Sequence, residues 1–195
     1  MVAVHSTMLP LGTEAPAFAL PDAVTGKIVQ LADFADKPAL LVAFICNHCP
    51  FVVHIREPLA ALIKEFQPRG LAAVAVCSND AEKYPEDSPS QMAVVARKLG
   101  FTFPYLHDTK QTTARDYHAA CTPDFYVFDA KRRLIYRGRF DESRPGRPTA
   151  AVGADLRAAI AAALAGTTIP DGAQKASVGC NIKWQRGSEP PWFPA

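Results

Sequence analysis

Two uninterrupted apolar runs of strand length, "ALLVAFI" (39–45) and, after Gly70, "LAAVAVC" (71–77), constrain this chain more than any other feature. A strand with one wet face alternates apolar and polar residues. A run without a polar break belongs to a strand covered on both faces, as in a sheet packed between helices. Between the runs the pattern turns helical: from Pro50 to about Phe66 the apolar positions include Val53, Leu59, Leu62, Ile63 and Phe66. Pro58 falls inside that stretch and predicts a kink or break, because it lacks the N–H that a helix interior uses.

The rest of the chain extends the alternation. "FALPDAVTGKIVQL" predicts two short strands around an Asp/Gly turn, an N-terminal hairpin. "SPSQMAVVARKLG" predicts a helix with Ser88 as N-cap, Pro89 at the first helical position and Gly100 at its end. "FTFPYL" is a short strand, "KQTTARDYHA" a short helix, and "DFYVFDAKRRLIYRGRF" two strands around a basic turn. "TAAVGADLRAAIAAALAG" predicts a last helix, with Thr149 as N-cap and Gly166 just beyond its end. The fold class is therefore α/β, a mixed central sheet flanked by helices. Residues 1–166 form the domain and residues 167–195 a tail. In that tail Val178, Cys180, Ile182 and Trp184 alternate with Gly179, Asn181, Lys183 and Gln185, so an extended segment docked by one face is expected.

Composition narrows the function classes. A length of 195 residues suits one domain with a real core. The net charge of +2, with basic residues scattered, gives no field that would attract nucleic acid. No apolar run approaches the roughly 20 residues that span a bilayer, so no membrane association is expected. The N-terminal stretch lacks a basic region followed by an apolar one, which makes the cytoplasm the expected location. Five cysteines cannot all pair within one chain, and a reducing compartment would not keep static disulfides.

The first apolar run leads straight into Cys46-Asn47-His48-Cys49, and the helical stretch begins at Pro50. The cysteines therefore sit at a helix N-terminus, where unpaired N–H groups and the helix dipole stabilise a thiolate. His48 can add positive charge in the same turn and lower the thiol pKa values. Three-residue spacing brings the sulfurs within disulfide reach. A zinc site would need four ligands, and Cys77, Cys121 and Cys180 are isolated in sequence, so neither a metal nor a cofactor is expected. A CxxC beside a strand–helix–strand pattern instead points to a redox couple. Cys46 is expected at least partly exposed, with Cys49 deeper in the first turn.

Five segments, "GTEAPAFALPD", "CNHCPFVVHIRE", "FPYLHDTKQTTARDYHAACTPDFYVFD", "LIYRGRFDESRP" and "VGCNIKW", together resemble the peroxiredoxin-like branch of the thioredoxin superfamily. That branch is related to the alkyl hydroperoxide reductase/thiol-specific antioxidant group but carries a CxxC. The resemblance implies a thioredoxin-like fold with an N-terminal hairpin extension. It also implies that Thr122-Pro123 is the cis-proline site facing the CxxC, with the Thr122 backbone pairing with a bound peptide. The departures are informative. Peroxiredoxins carry Pro-x-x-x-Thr-x-x-Cys and a distant arginine; aligned on Cys49, these positions hold Val42, Cys46 and Pro123. Thioredoxin has a tryptophan before its first cysteine and a buried aspartate six residues before it, where this chain has Ile45 and Leu40. His48 is then the nearest candidate for moving the proton of the second thiol.

Three functions compete. The leading one is a thiol–disulfide oxidoreductase in which Cys46 attacks and Cys49 resolves, acting on a disulfide-containing protein or a small-molecule thiol substrate. The second is a peroxide reductase with Cys49 as attacker and Cys46 as resolver. The third is a Cu(I) carrier, since soft thiolates suit that ion, although thioredoxin-fold copper carriers use a CxxxC one residue longer. Among the other thiols, Cys77 reads as a buried small hydrophobe. Cys121, two residues before the cis-proline, and Cys180, on the tail stripe, are possible auxiliary thiols. Packing is the expected role of Cys180. Trp184, Trp192 and Phe193 would be poor exposures on a free tail, which favours docking.

Overall fold

The computed structural model describes residues 3–193. Its centre is a five-stranded mixed sheet built from β4 (Ala39–Phe44), β5 (Leu71–Cys77), β6 (Tyr105–His107), β8 (Asp124–Phe128) and β9 (Leu134–Gly138), in the order β6-β5-β4-β8-β9. The first three run parallel; β8 and β9 are antiparallel additions. The two apolar runs are the adjacent inner strands β4 and β5, every residue of both buried. Alternate side chains of β4 point to opposite faces. Leu41 and Ala43 join a core with α1 (Pro50–Phe66), α2 (Pro89–Lys98) and α4 (Ala154–Ala165). Leu40, Val42 and Phe44 join a second core with α3 (Thr112–Asp116) and the N-terminal segment. Both faces are thus covered, which is why neither run has a polar break.

The N-terminal hairpin is β2 (Ala19–Pro21) paired with β3 (Ile28–Gln30). Two expectations about helices fail. α1 is continuous through Pro58, because Ile55, Leu59, Leu62 and Ile63 bury its inner face on both sides of the proline. That packing outweighs one missing backbone hydrogen bond. The last helix begins at Ala154, not after Thr149, and its N-cap is Gly153. There the Asp141 carboxylate accepts the N–H groups of Val152 and Gly153 at 2.8 and 2.6 Å, capping the helix from outside. Gly153 has φ +70° against Phe140 and Leu62, where a Cβ would lie 2.6 Å from the Phe140 ring. Gly166 does close the helix, with φ +68°.

The tail is docked, but not by one face. β10 (Val178–Asn181) is the middle strand of a small antiparallel sheet between β1 (Ala3–His5) and β7 (Cys121–Thr122). Cys180 belongs to the core beneath α1, whereas Ile182 and Trp184 belong to the other core. The strand ends at Asn181, so the predicted stripe is divided between the two faces of the central sheet. Trp192 stacks on His118 and meets Trp184 edge-on, closing the tail over the second core. Among the described residues no helix is long and apolar enough to cross a membrane.

A thiol cluster as the candidate active site

β4 delivers Cys46 to the end of the sheet, and the chain turns within three residues into α1, whose N-cap is Cys49. Opposite them the Thr122–Pro123 peptide bond is cis. Both sulfurs meet Thr122: Cys46 Sγ lies 3.3 Å from its hydroxyl, and Cys49 Sγ lies 3.1 Å from its carbonyl oxygen, to which the thiol donates. The expected exposure of Cys46 does not hold, and both cysteines are buried. Cys46 is only 2% exposed and Cys49 fully buried. All five cysteines are buried.

The Cys46 thiol hydrogen-bonds to the Cys49 sulfur, and the Cys180 thiol and the N–H groups of Val52 and Cys180 add to it. Together they outweigh burial and hold Cys49 down to about 5. The Thr122 carbonyl favours the protonated form, but it is one acceptor against several donors. Cys46 is pushed well above the usual thiol range by that same hydrogen bond, by burial and by the negative charge of Asp87; the Thr122 hydroxyl works weakly against them. Within the pair, Cys49 is thus held below the ordinary thiol range and Cys46 above it.

His48 pairs with Asp87. Its Nδ1 lies 2.7 Å from the fully buried carboxylate of Asp87, and this contact raises its pKa despite desolvation. Burial opposes the charge on Asp87, yet His48, the Asn79 amide and the Asn47 N–H outweigh it and keep its pKa below normal. Both latter hydrogen bonds are 2.7 Å. The His48 ring stacks on Tyr84, and Tyr105 donates to Asn47 Oδ1 at 3.2 Å. The sequence-based expectation that His48 lowers the thiol pKa needs correction at Cys46, because its partner Asp87 pushes that thiol up. Asp87, Asn79 and Tyr84 had no signal in the sequence; they lie more than thirty residues beyond Cys46, and only the fold brings them to it.

The auxiliary thiols divide. Cys180 is the register partner of Thr122 across β7 and β10 and hydrogen-bonds to Cys49. Cys121 is fully buried, donates to the Pro123 carbonyl at 3.7 Å, and is pushed up chiefly by desolvation. The residues that could hold a metal are Cys46, His48 and Asp87, whose ligand atoms lie within 4.8 Å of one another. Two of the three are already engaged with each other, as His48 and Asp87 form an ion pair.

The comparisons with known proteins agree with this architecture. A family model described as "AhpC/TSA family" matches residues 11–137. An uncharacterized conserved protein from Geobacillus kaustophilus is 49% identical, with TM-score 0.91 over 95% of this chain and 97% of its own. Two more distant structures share the fold. Peroxidoxin BcpB from Mycobacterium tuberculosis is 19% identical, with TM-score 0.59 over 80% of this chain and 96% of its own. A putative thiol:disulfide interchange protein DsbE from Chlorobium tepidum is 22% identical, with TM-score 0.59 over 80% and 99%. No curated protein matches. The chain belongs to the AhpC/TSA family, has a thioredoxin-like fold, and its role is thiol-based redox chemistry.

Proposed function

We propose that this AhpC/TSA-family chain is a thiol–disulfide oxidoreductase whose working couple is Cys46/Cys49. The observation that carries this reading is the convergence of both sulfurs on Thr122, 3.3 and 3.1 Å from its two oxygens, at the mouth of α1. Cys46, the first cysteine of the CxxC and the one at the end of β4, meets the substrate disulfide. The Cys46 proton passes to Cys49, the Cys46 thiolate attacks one substrate sulfur, and the other substrate sulfur leaves as a thiolate that takes the proton from Cys49. The Cys49 thiolate then attacks Cys46 Sγ, closing Cys46–Cys49 and releasing the second substrate sulfur as a thiolate. The substrate disulfide is reduced by two electrons and the dithiol is oxidised by two.

The peptide-pairing edge at Thr122 is occupied by β10. A small-molecule disulfide therefore fits the site as it stands better than an extended protein segment, which would first have to displace the tail.

A second reading, peroxide reduction with Cys49 as attacker, is favoured by the lowering of the Cys49 pKa by its hydrogen-bond donors. Against it stand Cys46 and Pro123 at the threonine and arginine positions of peroxiredoxins. Mass spectrometry of differentially alkylated protein, before and after glutathione disulfide or hydrogen peroxide, separates the two. The oxidoreductase reading expects a Cys46 mixed disulfide followed by Cys46–Cys49, with slow consumption by peroxide. A sulfenic acid on Cys49, formed faster than any mixed disulfide, would reverse the assignment.

A further inference from the structure

We infer that Cys180 is a third redox thiol, to which the disulfide formed at Cys46–Cys49 is passed by internal exchange. The inference builds on the oxidoreductase reading and adds a residue to it. Three observations place the thiol there. Antiparallel register sets Cys180 directly across from Thr122, the residue that both paired sulfurs touch. The Cys180 thiol is hydrogen-bonded to Cys49. The Cys180 N–H is directed at the same sulfur.

The strand around it is shaped for this approach. Gly179 packs against the Thr122 carbonyl so closely that a Cβ would lie 2.0 Å from its oxygen. A larger residue would hold β10 away from the cis-proline and from Cys49. The tail thus lies on the edge where a peptide substrate is expected, and it brings a cysteine to the couple as such a substrate would. Cys121, one residue before Thr122, shows the contrast: it is equally buried, yet it turns its thiol to the Pro123 carbonyl.

The exchange balances without an added reagent. The Cys180 thiolate attacks Cys49 Sγ of the Cys46–Cys49 disulfide. A Cys49–Cys180 bond forms, the Cys46–Cys49 bond breaks, and Cys46 leaves as a thiolate that takes the proton given up by Cys180. Nothing is oxidised or reduced overall, and Cys46 is again free to meet substrate. In the reduced protein, burial and then the neighbouring Cys49 push Cys180 up to about 12. Once Cys49 is in a disulfide its negative charge is gone, so Cys180 ionises more readily at the stage where its attack is useful.

The test is a time course of the full-length protein oxidised with glutathione disulfide, quenched in acid, alkylated, and mapped by non-reducing peptide mass spectrometry. The wild type should show Cys46–Cys49 first and Cys49–Cys180 later. Cys46→Ser should yield Cys49–Cys180 directly, and Cys180→Ser should accumulate Cys46–Cys49 with complete loss of the later species. A wild type that holds only Cys46–Cys49 at every time, together with Cys46→Ser protein that never forms Cys49–Cys180, overturns the inference. Failure of the oxidoreductase reading looks different: Cys180→Ser forms no Cys46–Cys49. The exchange step then fails with it, whereas Cys180→Ser protein that does form Cys46–Cys49 leaves the wild-type time course to decide the exchange alone.

Discussion

β4 and β5 run side by side in parallel register, Phe44 opposite Val76, and each leads into a cysteine at the same end of the sheet. Cys46 enters a cluster of polar groups and thiols; Cys77 is fully buried and pushed far above the usual thiol range by desolvation. What differs is the chain that follows. After Cys46 a helix begins almost at once, so its N-terminal N–H groups and the cis-proline strand converge on the sulfurs. After Cys77 come Ser78 and Asn79, and the side chain of Asn79 is spent on Asp87 and on the Lys183 N–H. The same residue on the same kind of strand thus either meets a helix N-terminus or is left in desolvated surroundings.

The largest expected effect is the one that breaks this symmetry. Cys46→Ser should slow catalytic turnover of a disulfide substrate more than any other variant, leaving only the route through Cys49 and Cys180. Cys77→Ala should keep turnover and lose only about 1 kcal/mol of stability, the cost of a small cavity. Equal loss of activity in both variants would show that the helix N-terminus is not what distinguishes the two thiols.

Asp87→Asn comes next. It removes a fully buried carboxylate that binds His48, Asn79 and the Asn47 N–H. Breaking such a pair costs about 3–5 kcal/mol. Chemical denaturation should show that loss, and iodoacetamide should label Cys46 faster, because the charge that raises its pKa is gone. Unchanged labelling would mean that Asp87 supports the loop without tuning the thiol.

Gly179→Ala should cost about 1–3 kcal/mol, since the added methyl meets the Thr122 carbonyl and one strand must shift. The same variant should slow formation of the Cys49–Cys180 bond. Normal stability with a normal rate would show that the close approach at Gly179 is not needed to hold the third thiol.

The smallest effect is a pH dependence. His48 has a raised pKa, so its contribution to stability is complete below the ordinary value of about 6.5 and is lost as pH rises through the folded value. Asp87 has a lowered pKa, so its contribution is complete above about 3.9 and is lost as pH falls through the folded value. The stability advantage of the wild type over His48→Asn should therefore be greatest between about pH 4 and 6.5 and shrink above it. Denaturation midpoints across that range provide the measurement, and an advantage that grows with pH would contradict the ion pair.

The sequence by itself determined the parts whose signal is local. Two unbroken apolar runs required strands covered on both faces. A helix starting at Pro50 put Cys46 and Cys49 at its N-terminus, and the spacing of the pair is a property of one turn. Even the alternation in the tail was legible as burial. Tertiary structure decided whatever depends on which elements become neighbours. Pro58 stays within a continuous helix because core packing on both sides holds it, and packing is invisible to local propensity. Gly153 caps the last helix because Asp141 arrives from another segment. Asp87 reaches Cys46 and His48 through a loop after β5, so no spacing rule could assign it. The tail stripe predicted that Cys180 would be buried, but only the pairing of β10 with β7 set it against Cys49, because strand register is fixed by contacts between segments far apart in the chain.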